Sequence, residues 1–140
     1  MSIDEKRNKL VNSLKLIADP MERLAYVIGK GKKAEALEEQ LKIDQFKIEG
    51  CVSNLWIVPE FKDTKCFYKC DADAAITKGV ATLLCDFYSG FSPEDILTVE
   101  PSFLAEAGVS QHLSPNRSNG LANAGNFMMQ FAESCQAAKE

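Results

Sequence analysis

One stretch of strand-like sequence, framed by helical patterning on both sides, limits what this 140-residue chain can build. From about Lys47 to Val58 the chain is rich in β-branched and aromatic residues, and a second such run spans Lys65 to Asp71. Pro59-Glu60-Phe61-Lys62-Asp63-Thr64 stands between them, so the pair reads as two antiparallel strands joined by a loop. Leu55 and Ile57 face one side of the first strand, and Val52, Trp56 and Val58 face the other. A strand apolar on both sides calls for cover on both faces. The helices on its flanks are the available cover.

Those helices carry clear start and stop signals. Ser2 with Glu5 three residues on forms a capping box, and Ile3, Leu10, Val11, Leu14 and Ile17 follow at helical spacing. Asp19-Pro20-Met21-Glu22 repeats the logic, with an Asp cap, Pro in the first turn and Glu at the third position. That helix is expected to run to about Gly29, where glycine can end it. A short, charged helical stretch spans Ala34 to Leu41. After Asp71-Ala72-Asp73 the helical period returns from Ala74 to Tyr88, with Ser89-Gly90 as the stop. Ser92-Pro93 starts a short helix, and another spans Pro101 to Ala107 before Gly108. Ser114-Pro115-Asn116-Arg117 opens the last helix, expected to reach about Lys139. The order ααα-ββ-αααα predicts one α+β domain over residues 1–140, a small antiparallel β-sheet packed with helices.

Composition excludes several classes. Apolar residues at 46% and charged residues at 26% are ordinary for a globular domain. A net charge of −4 argues against a nucleic-acid binder, which carries a basic excess or stripe. The one basic cluster, Lys30-Gly31-Lys32-Lys33, reads as a solvated turn. The charged start Met1-Ser2-Ile3-Asp4-Glu5-Lys6-Arg7 leads into no signal-peptide-like apolar stretch. The longest apolar run, Val80-Ala81 and Leu83-Leu84-Cys85 around Thr82, falls far short of a membrane span. Five cysteines, an odd number without a disulfide-like framework, favour free thiols in a reducing compartment. The expected location is the cytoplasm.

The cysteines separate by position. Cys66 and Cys70 share a strand face but stand about 13 Å apart at roughly 3.3 Å per residue, too far to ligate one zinc ion. Cys85 sits in an apolar helix face and Cys135 in the last helix. All four read as small buried hydrophobes, and no metal site is expected. Cys51 differs, because Gly50 before it permits a sharp or positive-φ turn where the thiol is presented. It is either a reactive thiol or a strand-interior residue after a glycine bulge. A second candidate region holds the only histidine, His112, and an arginine, Arg117, in a helix first turn. The helix dipole disfavours a cation there unless something anionic compensates it, whether a structural carboxylate, a ligand or a thiolate. His112 is a hydrogen-bonded loop residue or a general base.

Three segments go beyond pattern. Glu49-Gly50-Cys51-Val52-Ser53-Asn54-Leu55-Trp56-Ile57 resembles the G-C-x-S-x-V-W motif of the SufE family of cysteine desulfuration proteins. Gln111-His112-Leu113-Ser114-Pro115-Asn116-Arg117-Ser118-Asn119-Gly120-Leu121 is similar to that family's Q-H-L-[TS]-P-x-R-x-x-G-L signature. Asp71-Ala72-Asp73-Ala74-Ala75-Ile76-Thr77-Lys78-Gly79 matches its D-x-D-A-A-I-x-K-G segment. The one departure within these motifs is Leu55 in place of valine before the tryptophan.

The resemblance implies a SufE/IscU-like fold and a role in sulfur handling. A SufE-like protein takes persulfide sulfur from a pyridoxal-phosphate cysteine desulfurase (SufS-like), stimulates it, and passes the sulfur to an iron–sulfur scaffold (SufB-like). The matching acceptor is Cys51. Arg117 and His112 become candidates for favouring its anionic form or meeting the partner, and Asp73 matches a position near the partner-binding surface. The resemblance implies a monomer with no cofactor of its own, since the pyridoxal phosphate belongs to the desulfurase. The alternatives are a paralogous CsdE-like acceptor serving a different desulfurase, and a noncatalytic module that merely activates one. An apolar setting would raise the Cys51 pKa and slow attack, yet would shelter a persulfide from oxidants and reductants. A Gly50-Cys51 loop that moves between sheltered and extended positions meets both demands.

Overall fold

The computed structural model describes residues 1–50, 53–109 and 115–139. Its sheet is a hairpin of β1 (Leu55–Lys62) and β2 (Lys65–Ala72), antiparallel and in register from Leu55↔Ala72 to Lys62↔Lys65. Ahead of it lie α1 (Ile3–Lys15) and α2 (Pro20–Lys33), and after it α3 (Ala75–Tyr88), α4 (Pro93–Ile96), α5 (Phe103–Glu106) and α6 (Pro115–Lys139). The α+β architecture agrees with the sequence reading. So do three predicted caps: Ser2 Oγ accepts from the Glu5 N–H, Asp19 Oδ1 from Met21 and Ser92 Oγ from Asp95.

Four boundaries differ, each for a visible reason. The expected six-residue loop is a two-residue turn, with Asp63 and Thr64 both in left-handed backbone (φ 53° and 64°). Positive φ at both central residues matches the right-handed twist of the flanking strands, so the pairing continues through Pro59. The first strand starts at Leu55 rather than Lys47. Residues just before it pair with β1 through a bridge between Lys47 and Trp56 and the Ile48 N–H to Leu55 carbonyl bond of 2.8 Å. Gly50, at φ +84°, turns the chain between those contacts.

The third difference is that α2 runs past Gly29 to Lys33. Its packing on α3 holds the extra turn, with Gly31 seated against Gly79. Lys30, Lys32 and Lys33 are the exposed cations of that last turn, where they complement the helix dipole. Fourth, Ala34 to Leu41 forms only a single 3-10 turn over Glu39–Leu41. The Leu37 N–H goes instead to the Asp71 carboxylate at 3.1 Å, which draws that segment onto the end of β2.

The core lies where the hairpin and α1, α2, α3, α5 and α6 converge, and it includes Leu14, Val27, Leu55, Ile57, Tyr88 and Met128. β2 alternates cleanly, with Cys66, Tyr68 and Cys70 buried and Lys65, Phe67 and Lys69 exposed. The cover expected on both faces of β1 exists from Leu55 to Val58 and ends before the exposed tip. Tyr68 ties β2 to α6 by a 2.8 Å hydroxyl bond to the Met128 carbonyl. Two cations satisfy helix C-termini. Lys6 Nζ donates to the Asp86 and Phe87 carbonyls at the end of α3, and Arg23 donates to those of Leu14 and Ile17 at the end of α1.

Candidate functional site: the loop that carries Cys51

Cys51 lies outside the described residues, but the chain on either side of it is fixed. On the entry side the Ile48 N–H bonds the Leu55 carbonyl, closing the loop at its base. On the exit side the Asp73 N–H donates to the Asn54 carbonyl at 3.0 Å, and Asn54 Nδ2 donates to Asp73 Oδ2 at 2.9 Å. Asp73, a sequence candidate, therefore holds the loop's exit against the start of α3. These contacts leave the five residues 49–53 between the fixed points.

A third attachment comes from α6. Asn123 Nδ2 donates to the Glu49 carbonyl at 2.8 Å. The same nitrogen lies 2.5 Å from where a Cβ on Gly50 would stand. Gly50 is therefore required twice, by its positive φ and by the close approach of Asn123. The sequence reading anticipated the first reason and missed the second, since Asn123 lies two residues beyond the matched segment ending at Leu121. Its position brings α6, which carries the end of the second motif, alongside the Cys51 loop. Arg117 falls in the first turn of α6, as expected. Its side chain, and His112 altogether, lie outside the described residues.

Ser53, two residues after the thiol, has a buried hydroxyl with no hydrogen-bond partner among the described residues. Trp56 sits next along the strand, with Lys42 Nζ 5.6 Å from its ring centroid. Lys42 also reaches Asp71 Oδ2 at 3.4 Å, and Lys78 reaches Oδ1 of the same carboxylate at 3.4 Å.

Asp71 is a residue whose role sequence reasoning missed. Burial works against its ionisation. The N–H groups of Ala72 and Leu37, together with Lys78 and Lys42, outweigh burial and hold its pKa below the ordinary value. A depressed carboxyl pKa stabilises the fold above the unfolded value of about 3.9, and that contribution is lost as pH falls through the folded value. Asp71→Asn should therefore destabilise the protein by about 1–3 kcal/mol at neutral pH and flatten its acid limb. Urea unfolding followed from neutral to acid pH checks both effects; parallel curves for the two proteins would contradict this.

The third sequence motif thus has a structural reading throughout. Asp71 and Lys78 are an ion pair, Asp73 holds the loop exit, and Gly79 lets α2 approach α3. The remaining cysteines are buried, as expected: Cys66 and Cys70 on β2, Cys85 on α3 and Cys135 on α6. Cys66 neighbours Cys135, and Cys70 neighbours Cys85. Among the described residues, no group of three or more His, Cys, Asp or Glu side chains is placed to hold a metal ion. No helix among them is long and apolar enough to cross a membrane.

Comparisons with known proteins agree with the motifs. A family model described as SufE, Fe-S metabolism associated domain, matches residues 8–132. An uncharacterized SufE-like protein of Synechocystis is 35% identical over 115 residues, covering 82% of this chain and 72% of that protein. SufE-like protein 1, chloroplastic/mitochondrial, of Arabidopsis thaliana is 34% identical over 84% of this chain but only 32% of its own length. Cysteine desulfuration protein SufE of Plasmodium falciparum is 35% identical over 74% of this chain and 44% of its own length. The chain thus spans less than half of the plant and Plasmodium relatives. The solution structure of a hypothetical protein from Thermus thermophilus superposes with a TM-score of 0.78 at 19% identity, over 94% of this chain and 96% of that one, and so shares the fold. The family match over most of the chain, on a fold that holds a glycine–cysteine loop between two anchored ends, makes this protein a member of the SufE family with a sulfur-transfer role in iron–sulfur metabolism.

Proposed function

We propose that Cys51 accepts persulfide sulfur from a pyridoxal-phosphate cysteine desulfurase, that the chain thereby stimulates the desulfurase, and that it delivers the sulfur to an iron–sulfur assembly scaffold in the cytoplasm. The observation that carries this reading is the loop itself. Its base is closed at Ile48–Leu55, its exit is held by Asp73, and Asn123 holds its entry through a single exposed hydrogen bond. Firm ends on either side of Cys51, one of them closed by a single exposed hydrogen bond, suit a thiol that must be sheltered in one state and extended in another.

The transfer is thiol–disulfide exchange. The Cys51 thiolate attacks the terminal sulfur of the desulfurase persulfide, forming a new S–S bond while the desulfurase cysteine leaves as thiolate. The buried Ser53 hydroxyl, unpartnered among the described residues and two residues on in sequence, is a candidate donor to an anionic sulfur on Cys51. Gly50 supplies the turn. Arg117 and His112 remain the sequence candidates for charge stabilisation or partner contact. No step asks for a cofactor on this chain.

Added to a cysteine desulfurase and free cysteine, the protein should raise the rate of sulfide release under reducing conditions. Cys51→Ser should return that rate to the desulfurase alone. Full stimulation by Cys51→Ser would replace the acceptor reading with a noncatalytic activator.

The Asn123 contact gives a second test. A hydrogen bond of about 1 kcal/mol corresponds to a roughly fivefold change in an opening equilibrium. Asn123→Ala should therefore raise the alkylation rate of Cys51 in the free protein by about that factor, without changing thermal stability appreciably. Docking of the desulfurase should raise the wild-type rate in the same direction. Equal rates in all three samples would remove the moving loop from the account.

A further inference from the structure

We propose that Cys70 and Cys85 form a second thiol centre, separate from Cys51, which small hydroperoxides convert into an intramolecular disulfide joining β2 to α3. Two buried cysteines would by themselves be core fillers. These two line a cavity of about 510 Å³ that opens between α2, the segment after it, β2 and α3. Its wall also includes Leu37, Tyr68 and Thr82, and its rim carries charges of both signs, among them Lys33, Lys69 and Asp86.

The thiols are differently placed in their polar surroundings. Cys70 Sγ has the Thr82 hydroxyl at 3.7 Å, and the Cys85 thiol adjoins it on the same cavity wall. Hydrogen bonding from Cys85 lowers the Cys70 pKa against the opposing effect of burial, with Thr82 helping. Cys85, which gives that hydrogen bond and is itself buried, is held well above the ordinary thiol value. Cys70 is thus the more readily ionised of the two sulfurs, and its neighbour on the same cavity wall is the thiol that would resolve the product.

The neighbouring pair makes a useful contrast. Cys66 and Cys135 are also neighbours, but neither lines this cavity. Burial, followed by the adjoining Cys135, pushes the Cys66 thiol up to about 12, so it stays protonated. The same strand therefore presents two thiol pairs of similar composition, of which one has both an entrance and an ionisable member.

The chemistry closes in two steps. The Cys70 thiolate attacks one oxygen of hydrogen peroxide; the O–O bond breaks, hydroxide leaves and takes a proton to become water, and Cys70 becomes a sulfenic acid. The Cys85 sulfur then attacks the Cys70 sulfur, forming the S–S bond and releasing a second water that carries off the Cys85 proton. Two thiols are oxidised by two electrons in total and one peroxide is reduced.

The test treats the fully reduced protein, and Cys51→Ser alongside it, with hydrogen peroxide. Both are then alkylated in denaturant and digested without reductant for mass spectrometry. The expected product in both is a peptide pair linked through Cys70 and Cys85, lighter by two hydrogens than the sum of its reduced parts. Cys85→Ser should instead leave Cys70 as a sulfenic acid that dimedone captures. The linked peptide from the unmutated chain decides the matter even where Cys85→Ser folds poorly. Full alkylation of Cys70 and Cys85 after Cys51 has oxidised would overturn the proposal, as would a link between Cys66 and Cys135 in their place. Neither result depends on whether Cys51 carries sulfur.

Discussion

Gly79→Val should destabilise the protein by about 3 kcal/mol or more, moving its urea midpoint sharply down while leaving the slope of the transition unchanged. Where α2 crosses α3, a Cβ built on Gly79 stands 2.5 Å from the Val27 carbonyl oxygen, 2.9 Å from its carbon and 3.1 Å from the Ile28 Cα. These are backbone atoms of a helix, which cannot rotate aside as a side chain can. Gly31 makes the reciprocal approach, its Cβ position lying 2.7 Å from the Gly79 nitrogen. The helices must separate to admit anything larger, and the Lys78–Asp71 ion pair beside the crossing would move with them. Helix propensity favours alanine over glycine by about 1 kcal/mol, too little to offset such a clash, so Gly79→Ala should also lose stability. Gly29 is the internal control. A Cβ there meets nothing within 4 Å, so Gly29→Ala should gain up to about 1 kcal/mol. A Gly79→Val protein with the wild-type midpoint would refute this account of the crossing.

Arg23→Met should cost about 3 kcal/mol, although methionine fills much of the same volume. Arg23 is only 9% exposed. Its guanidinium donates to the Leu14 carbonyl at 2.9 Å, to Ile17 at 2.8 Å and, at the limit of reach, to Gly108 at 3.5 Å. The first two are carbonyls at and just past the C-terminal end of α1, where the helix dipole is negative and backbone donors run out; the Leu14 oxygen also accepts the Ile17 N–H at 3.1 Å. Methionine would take the charged donor from both oxygens, leaving Leu14 only its backbone bond from Ile17, while keeping the space closed to water. Arg23→Lys keeps the charge but replaces a planar fork with a single ammonium, and so should recover only part of the loss. Gly108, at φ +78°, completes the arrangement, since a Cβ there would collide with the same guanidinium. Equilibrium unfolding of the three proteins gives the ranking; equal stabilities would show that the guanidinium bonds contribute nothing net.

The fold was legible wherever a local signal decided the outcome. Ser2, Asp19 and Ser92 cap helices where capping chemistry says they should, because a cap needs only neighbours in sequence. The reading went wrong where distant contacts took over. Gly29 looks like a helix end, but the α2–α3 crossing lies beyond it and carries the helix on to Lys33. The Ala34–Leu41 stretch looks helical, but the Asp71 carboxylate takes the Leu37 N–H. The six residues Pro59–Thr64 look like a loop, yet two of them suffice once both adopt positive φ.

The site divides in the same way. Cys51 and Gly50 stood out from pattern and resemblance together, and the positive φ of Gly50 is present. Asp73 was named for its place in a motif, and the structure gives it a mechanical role at the loop exit. Asn123 could not have been found, because its side chain meets a carbonyl 74 residues away and no local pattern marks that contact. Asp71 was available as a signal: a carboxylate at the end of a buried strand needs partners, and Lys78 stands one helical turn into α3.

The central claim is that sulfur rests on Cys51, and the direct measurement is the mass of that residue's peptide. The protein is incubated with a pyridoxal-phosphate cysteine desulfurase and cysteine, alkylated, and digested without reductant. The account predicts one additional sulfur on the Cys51 peptide, none on Cys66, Cys70, Cys85 or Cys135, and no added sulfur in Cys51→Ser. An unmodified Cys51 beside an actively turning desulfurase, or a persulfide on any of the other four cysteines instead, would contradict it.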